Sequence, residues 1–143
     1  MGLRPCGASA AAALALAGCA ASGVLVVHGV VRAEGPGRAE PLAGATVQCR
    51  EGRDGAPRYA RATTEQDGGY RLEYRYDGTW FPLLAPKAGD AWAEFAAPGF
   101  QPRLVRLRGG AEPGVARADS GPYLRLDVTL VPLAGATGAP GGR

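Results

Sequence analysis

Tyr123-Leu124-Arg125-Leu126-Asp127-Val128-Thr129-Leu130-Val131 is the stretch on which the fold turns. Leu124, Leu126, Val128 and Leu130 alternate with Arg125, Asp127 and Thr129. A period of two puts the apolar side chains on one face and the polar ones on the other, which is the pattern of a half-buried strand. The same period recurs towards the N-terminus. Val24 to Arg32 is expected as a first strand, with Leu25, Val27, Gly29 and Val31 on one face and His28 on the other. Ala45 to Arg50 and Arg58 to Thr64 follow, then Gly69 to Tyr76 with Tyr70, Leu72 and Tyr74 inward. Ala91 to Ala97 turns Ala91, Ala93 and Phe95 inward, and Arg103 to Arg108 does the same with Val105 and Leu107.

Turn chemistry separates these runs. Gly35-Pro36-Gly37, Asp54-Gly55, Asp67-Gly68-Gly69 and Pro98-Gly99 each break the alternation, because glycine reaches positive φ without a Cβ clash and proline has no N–H to donate. Asp67 is expected to bond its own turn backbone. Seven short strands so punctuated, with no competing helical stripe, predict an all-β, seven-stranded β-sandwich. Gly109 to Gly121, polar and glycine-rich, is expected as a mobile loop, and residues 133–143 as a disordered tail.

The N-terminus reads differently. Ala8 to Ala17 is apolar except for Ser9 and follows a short segment whose one charge is Arg4. That is the pattern of a signal peptide, too short for a bilayer span of ~20 apolar residues. Leu16-Ala17-Gly18-Cys19 resembles a bacterial lipobox. On that reading residues 1–18 are removed and Cys19 carries the lipid, residues 19–23 form a short tether, and 24–132 form the sandwich. Ala20-Ala21-Ser22-Gly23 reaches about 14 Å even if fully extended, so the domain is expected close to the headgroups. Ala20 and Ala21 do not look like an inner-membrane retention signal, which points to the outer membrane, facing the periplasm.

Charge and cysteines narrow the function classes. Sixteen Lys and Arg face thirteen Asp and Glu, and the basic residues are spread along the chain with no run of the kind that marks nucleic-acid binding. Of three cysteines, Cys6 leaves with the signal and Cys19 is consumed by lipid, which leaves Cys49 without an intramolecular partner. Sharing a face with Ala45 and Val47, Cys49 is expected as a core thiol.

Four blocks in order resemble the carboxypeptidase regulatory-like domain, a transthyretin-like or Ig-like β-sandwich of bacterial envelope proteins. They are Val27-His28-Gly29-Val30-Val31, Pro41-Leu42-Ala43-Gly44-Ala45-Thr46-Val47, Thr64-Glu65-Gln66-Asp67-Gly68-Gly69-Tyr70-Arg71-Leu72, and Ala97-Pro98-Gly99-Phe100, closed by Leu126, Val128, Leu130 and Pro132. The resemblance runs from about Val27 to Pro132 and implies a structural or binding role without catalysis. Asp77 to Asp90 departs from it as an insertion where the family has a brief turn.

The residues also offer little chemistry. His28 is the single histidine, so neither a serine triad nor a zinc or copper site assembles around it. Hydrolytic relatives of the transthyretin-like group use several histidines and a C-terminal Tyr-Arg-Gly-Ser that this chain lacks. Glu65 and Asp67 lack the ligand spacing of a calcium loop. No metal, cofactor or catalytic residue is therefore expected. Trp80, Phe81, Leu83 and Leu84 make the insertion too apolar for an ordinary loop. They are the candidate partner-binding residues, either as a lid on a sheet edge or as a patch that docks on an envelope protein, a glycan or the lipid surface. The expected function is a non-catalytic, lipid-anchored envelope module acting through protein–protein contacts, with carbohydrate or small-molecule binding as the alternative.

Overall fold

In the computed structural model, residues 21–54, 57–78 and 91–135 are described. They form two sheets and no helix. The strands are β1 (Ala21–Ala33), β2 (Glu40–Pro41), β3 (Thr46–Glu51), β4 (Pro57–Thr63), β5 (Gly69–Gly78), β6 (Ala91–Ala96), β7 (Arg103–Arg106), β8 (Val115–Ser120) and β9 (Tyr123–Leu130). In the first sheet β1 is central. It pairs antiparallel with β5 and β2 on one side and parallel with β9 on the other, and β8 lies outside β9. The second sheet has the order β4-β3-β6-β7, antiparallel throughout. This is an all-β sandwich.

The alternating stripes meet between the sheets. Val27, Val31, Leu72, Tyr74, Leu124, Leu126, Val128 and Leu130 face Ala45, Val47, Cys49, Ala93, Phe95, Val105 and Leu107, all of them buried. Tyr70 and Phe95 meet edge to face across the interface, with centroids 5.6 Å apart and planes at 76°. Two arginines close the open side. Arg103 donates to the carbonyls of Thr129 and Pro113, and Arg117 to those of Leu107 and Arg106, tying β7 to β8 and β9.

The turn before β5 has the expected chemistry. Asp67 Oδ1 accepts from the Gly69 amide at 2.8 Å. The positive φ falls on Gly68, at 75°, where a Cβ would lie 2.5 Å from the Val31 carbonyl oxygen. Next to it Thr64, buried, accepts from the Ala45 amide at 2.8 Å and donates to the Leu42 carbonyl at 2.6 Å.

Three departures have physical causes. β1 starts at Ala21, three residues before the expected Val24, because Ala21, Ser22 and Gly23 pair with Gly78, Asp77 and Tyr76. The expected loop Gly109 to Gly121 contains β8, and the two-residue β2 was not expected either, so nine strands are described where seven were expected. β8 escapes the hydrophobic pattern because it inverts it. Val115, Arg117 and Asp119 sit opposite the core-facing Val128, Leu126 and Leu124, and the outward positions are Ala116, Ala118 and Ser120. Inward-pointing charge on an edge strand discourages further strand addition, and Arg117 uses it to reach β7.

Candidate functional site

The second sheet turns a polar and aromatic surface outward. β6 alternates buried Ala91, Ala93 and Phe95 with outward, half-buried Trp92, Glu94 and Ala96. Register brings Arg50 of β3 and Arg106 of β7 alongside Trp92 on either side. The Arg106 guanidinium carbon lies 4.9 Å from the Trp92 ring centroid, within cation–π range. One row along, Glu94 lies between Gln48 and Leu104. Its carboxylate accepts from Gln48 Nε2 at 2.7 Å and pairs with Arg50. The Arg50 and Glu94 side chains keep 24% and 17% of their exposure, so the pair is partly shielded from solvent. The result is a flat patch whose donors and acceptors are held at fixed spacing by the sheet.

The first sheet carries a different cluster, and its role is structural. Parallel pairing of β1 with β9 is interrupted between His28↔Arg125 and Val31↔Val128. There Asp127 Oδ1 accepts from the Val30 amide at 3.0 Å, and Arg125 Nη2 pairs with Asp127 Oδ2 at 3.0 Å. Tyr70, opposite Gly29 on β5, donates its hydroxyl to the Leu126 carbonyl at 2.8 Å. Burial, with the negative charge of Asp127 opposing a phenolate, pushes the Tyr70 hydroxyl well above its ordinary value. It serves as a fixed O–H donor. His28 is half-buried on the outer face between Arg71 and Arg125, away from the core. Among the described residues no group of three His, Cys, Asp or Glu side chains could hold a metal ion.

Cys49 is fully buried, and burial pushes its thiol up from 9.0 to about 12. A thiol held neutral in the fold but free to ionise in the unfolded chain contributes stability that is complete below about pH 9 and lost as pH rises towards about 12. Replacement of Cys49 by valine is therefore expected to reduce the alkaline loss of stability in urea titrations taken across that window. An unchanged alkaline limb would contradict this.

Cys19 and the apolar residues Trp80, Phe81, Leu83 and Leu84 lie outside the described residues. Trp92 was not singled out from sequence, although its outward place in β6 was implied by the inward places of Ala91 and Ala93. Its arginine neighbours come from two other strands, so only register reveals them.

Comparison with protein-family models finds no match, and comparison with curated proteins finds none. Among solved structures the chain is similar to the dioxygenase domain of a dioxygenase–carbohydrate-binding protein fusion from the cellulolytic bacterium Streptomyces sp. SirexAA-E. That likeness has 18% identity over 79% of this chain and 81% of that one, with a TM-score of 0.46. It is also similar to the major plantain pollen allergen Pla l 1, at 16% identity over 78% of this chain and 98% of that one, TM-score 0.44. A third likeness is to 3-chlorocatechol 1,2-dioxygenase from Rhodococcus opacus 1CP, at 14% identity, 77% and 60% coverage and TM-score 0.46.

Proposed function

We propose that the chain is a non-catalytic binding module of the bacterial envelope, anchored by lipid on Cys19 at the outer membrane and facing the periplasm. It works through protein–protein contacts. The transthyretin-like resemblance of the four sequence blocks supports the module, and the lipobox supports the anchor. The observation that carries the binding reading is the row Arg50, Trp92, Arg106 on the outer face of the second sheet. Tryptophan and arginine dominate the energetics of protein interfaces, since each combines large area with directional polar contacts. A sheet presents them already ordered, so little conformational entropy is lost on docking.

Cross-linking in intact cells tests this, with Trp92→Ser as the informative variant. The expected result is a single cross-linked partner seen with the native chain and lost in the variant, with the thermal midpoint moved by less than about 1 kcal/mol equivalent. An unchanged cross-link would remove this face from the function. Loss of glycan retention in place of a protein cross-link would favour the carbohydrate alternative, for which Gln48 and Glu94 supply hydrogen-bonding groups beside the ring.

A further inference from the structure

The basic residues are scattered in sequence, but the fold gathers four of them at one end. That end is where β1 begins. Val24 opens it, with Arg75 directly opposite on β5, and Tyr123 lies beside Val26 at the start of β9. The β8–β9 turn brings Asp119 and Ser120. In the second sheet, Tyr70 against Phe95 aligns the two layers, so the end of β3 lies at the same level and the turn after it carries Arg53 and Asp54. Arg106 and Arg108 flank Leu107, whose amide donates to the Ala91 carbonyl at the start of β6. Among the described side chains, this end exposes Arg53, Arg75, Arg106 and Arg108 against Asp54, Glu73 and Asp119. The opposite end exposes Glu34, Glu40, Glu65 and Asp67 against Arg32 and Arg38. Charge distinguishes the ends better than hydrophobicity does. Val24 and Tyr123 keep 40% and 46% of their exposure at the basic end, and Val131 and Leu133 keep similar amounts at the other.

The chain that leads into the basic end is short. Because β1 starts at Ala21, only Ala20 separates it from Cys19, and two residue steps span at most about 7 Å. We propose that this basic end is a membrane-docking surface whose occupant is the anionic headgroup layer of the bilayer that holds the anchor. The proposal rests on the lipid reading of Cys19. With so little slack, the domain cannot turn its acidic end towards the bilayer, and the four arginines lie within a Debye length, ~10 Å at 0.1 M salt, of the lipid phosphates. Arginine suits the task because its planar guanidinium binds phosphate oxygens in pairs. Tyr123 and Val24 add an amphipathic ring and an aliphatic side chain at headgroup level. Glu34, Glu40, Glu65 and Asp67 then face away from the membrane, and the Trp92 face stands roughly upright, open to a partner.

Depth measurement on the full lipidated chain tests the proposal. Cys19 carries the lipid and Cys49 is buried with its thiol pushed up, so a cysteine placed at exposed Ser120 or exposed Ala43 takes a fluorophore selectively. The protein is reconstituted in vesicles of phosphatidylethanolamine with phosphatidylglycerol, carrying a quencher on the lipid headgroup. The probe at Ser120→Cys should be quenched several-fold more than the probe at Ala43→Cys. High salt, zwitterionic vesicles, or the paired exchange Arg75→Glu and Arg108→Glu should each weaken that difference. Salt acts without altering the protein, so the test survives a poorly folding variant. Equal quenching at both positions in a protein that floats with the vesicles overturns docking and leaves the anchor standing. A difference indifferent to lipid charge and to salt also overturns it, and would return the basic end to an acidic protein partner. Failure to float removes the anchor and the docking surface together.

Discussion

Replacing Gly29 by alanine is expected to destabilise the domain by about 3 kcal/mol or more and to lower its thermal midpoint by roughly 10 °C. Gly29 sits in the middle of β1 at φ 155°, and a Cβ built there would lie 2.0 Å from the carbonyl oxygen of Leu126 and 2.6 Å from its carbon. Both are backbone atoms of the neighbouring strand, so no rotamer change relieves the clash. The strands must part, and three interactions suffer together. Tyr70 reaches past Gly29 to the same Leu126 carbonyl, and the Asp127 carboxylate holds the Val30 amide. Parallel pairing resumes only at Val31. The missing side chain thus lets an aromatic residue cross a strand that any Cβ would block, the arrangement by which an aromatic neighbour compensates a glycine in a sheet. Circular dichroism melts of Gly29→Ala beside Gly110→Ala make the comparison, since a Cβ at Gly110 meets nothing within 4 Å. Equal midpoints for the two variants would show that β1 and β9 yield far more easily than their pairing implies.

Phe95→Ala is expected to cost about 3–5 kcal/mol. Phe95 has no exposed surface, is one of the largest fully buried side chains, and packs edge to face on Tyr70 across the interface between the sheets. Truncation leaves a cavity between two hydrogen-bonded sheets, which cannot collapse without breaking their own ladders. It also strips Tyr70 of the ring that holds it over Gly29, so the loss extends to the Leu126 hydrogen bond. Against a typical domain stability of about 5–15 kcal/mol, such a loss consumes a large share. Urea unfolding should show a lower midpoint with an unchanged slope. A loss below about 1 kcal/mol would mean that neighbouring side chains refill the space.

The strands of the core were legible because a period of two is a local property. Leu124, Leu126, Val128 and Leu130 declare their face without reference to any other segment, and all four are buried. Asp67 was legible for the same reason, because its partner is two residues away. β8 was not, since two of the three residues on its core-side face, Arg117 and Asp119, are charged, and Arg117 is accommodated there by the carbonyls of Arg106 and Leu107. The candidate site was less legible than the core. The apolar insertion drew attention from its composition alone, whereas Trp92 gains its meaning from Arg50 and Arg106, which reach it through the register of three strands.

By itself the sequence determined an all-β sandwich over the described residues, with the inward faces of its core strands and the turns at Asp67-Gly68-Gly69 and Pro98-Gly99. Backbone stereochemistry and the alternation of side chains along a strand act between near neighbours, so these features can be read a few residues at a time. Only the tertiary structure decided that Tyr70 crosses Gly29 to Leu126, that the Arg106 guanidinium lies over Trp92 with Arg50 in register on its other side, and that Arg53, Arg75, Arg106 and Arg108 share one end. Each depends on which strands become neighbours and in what register, and that is settled by the closing of the two sheets over their common core.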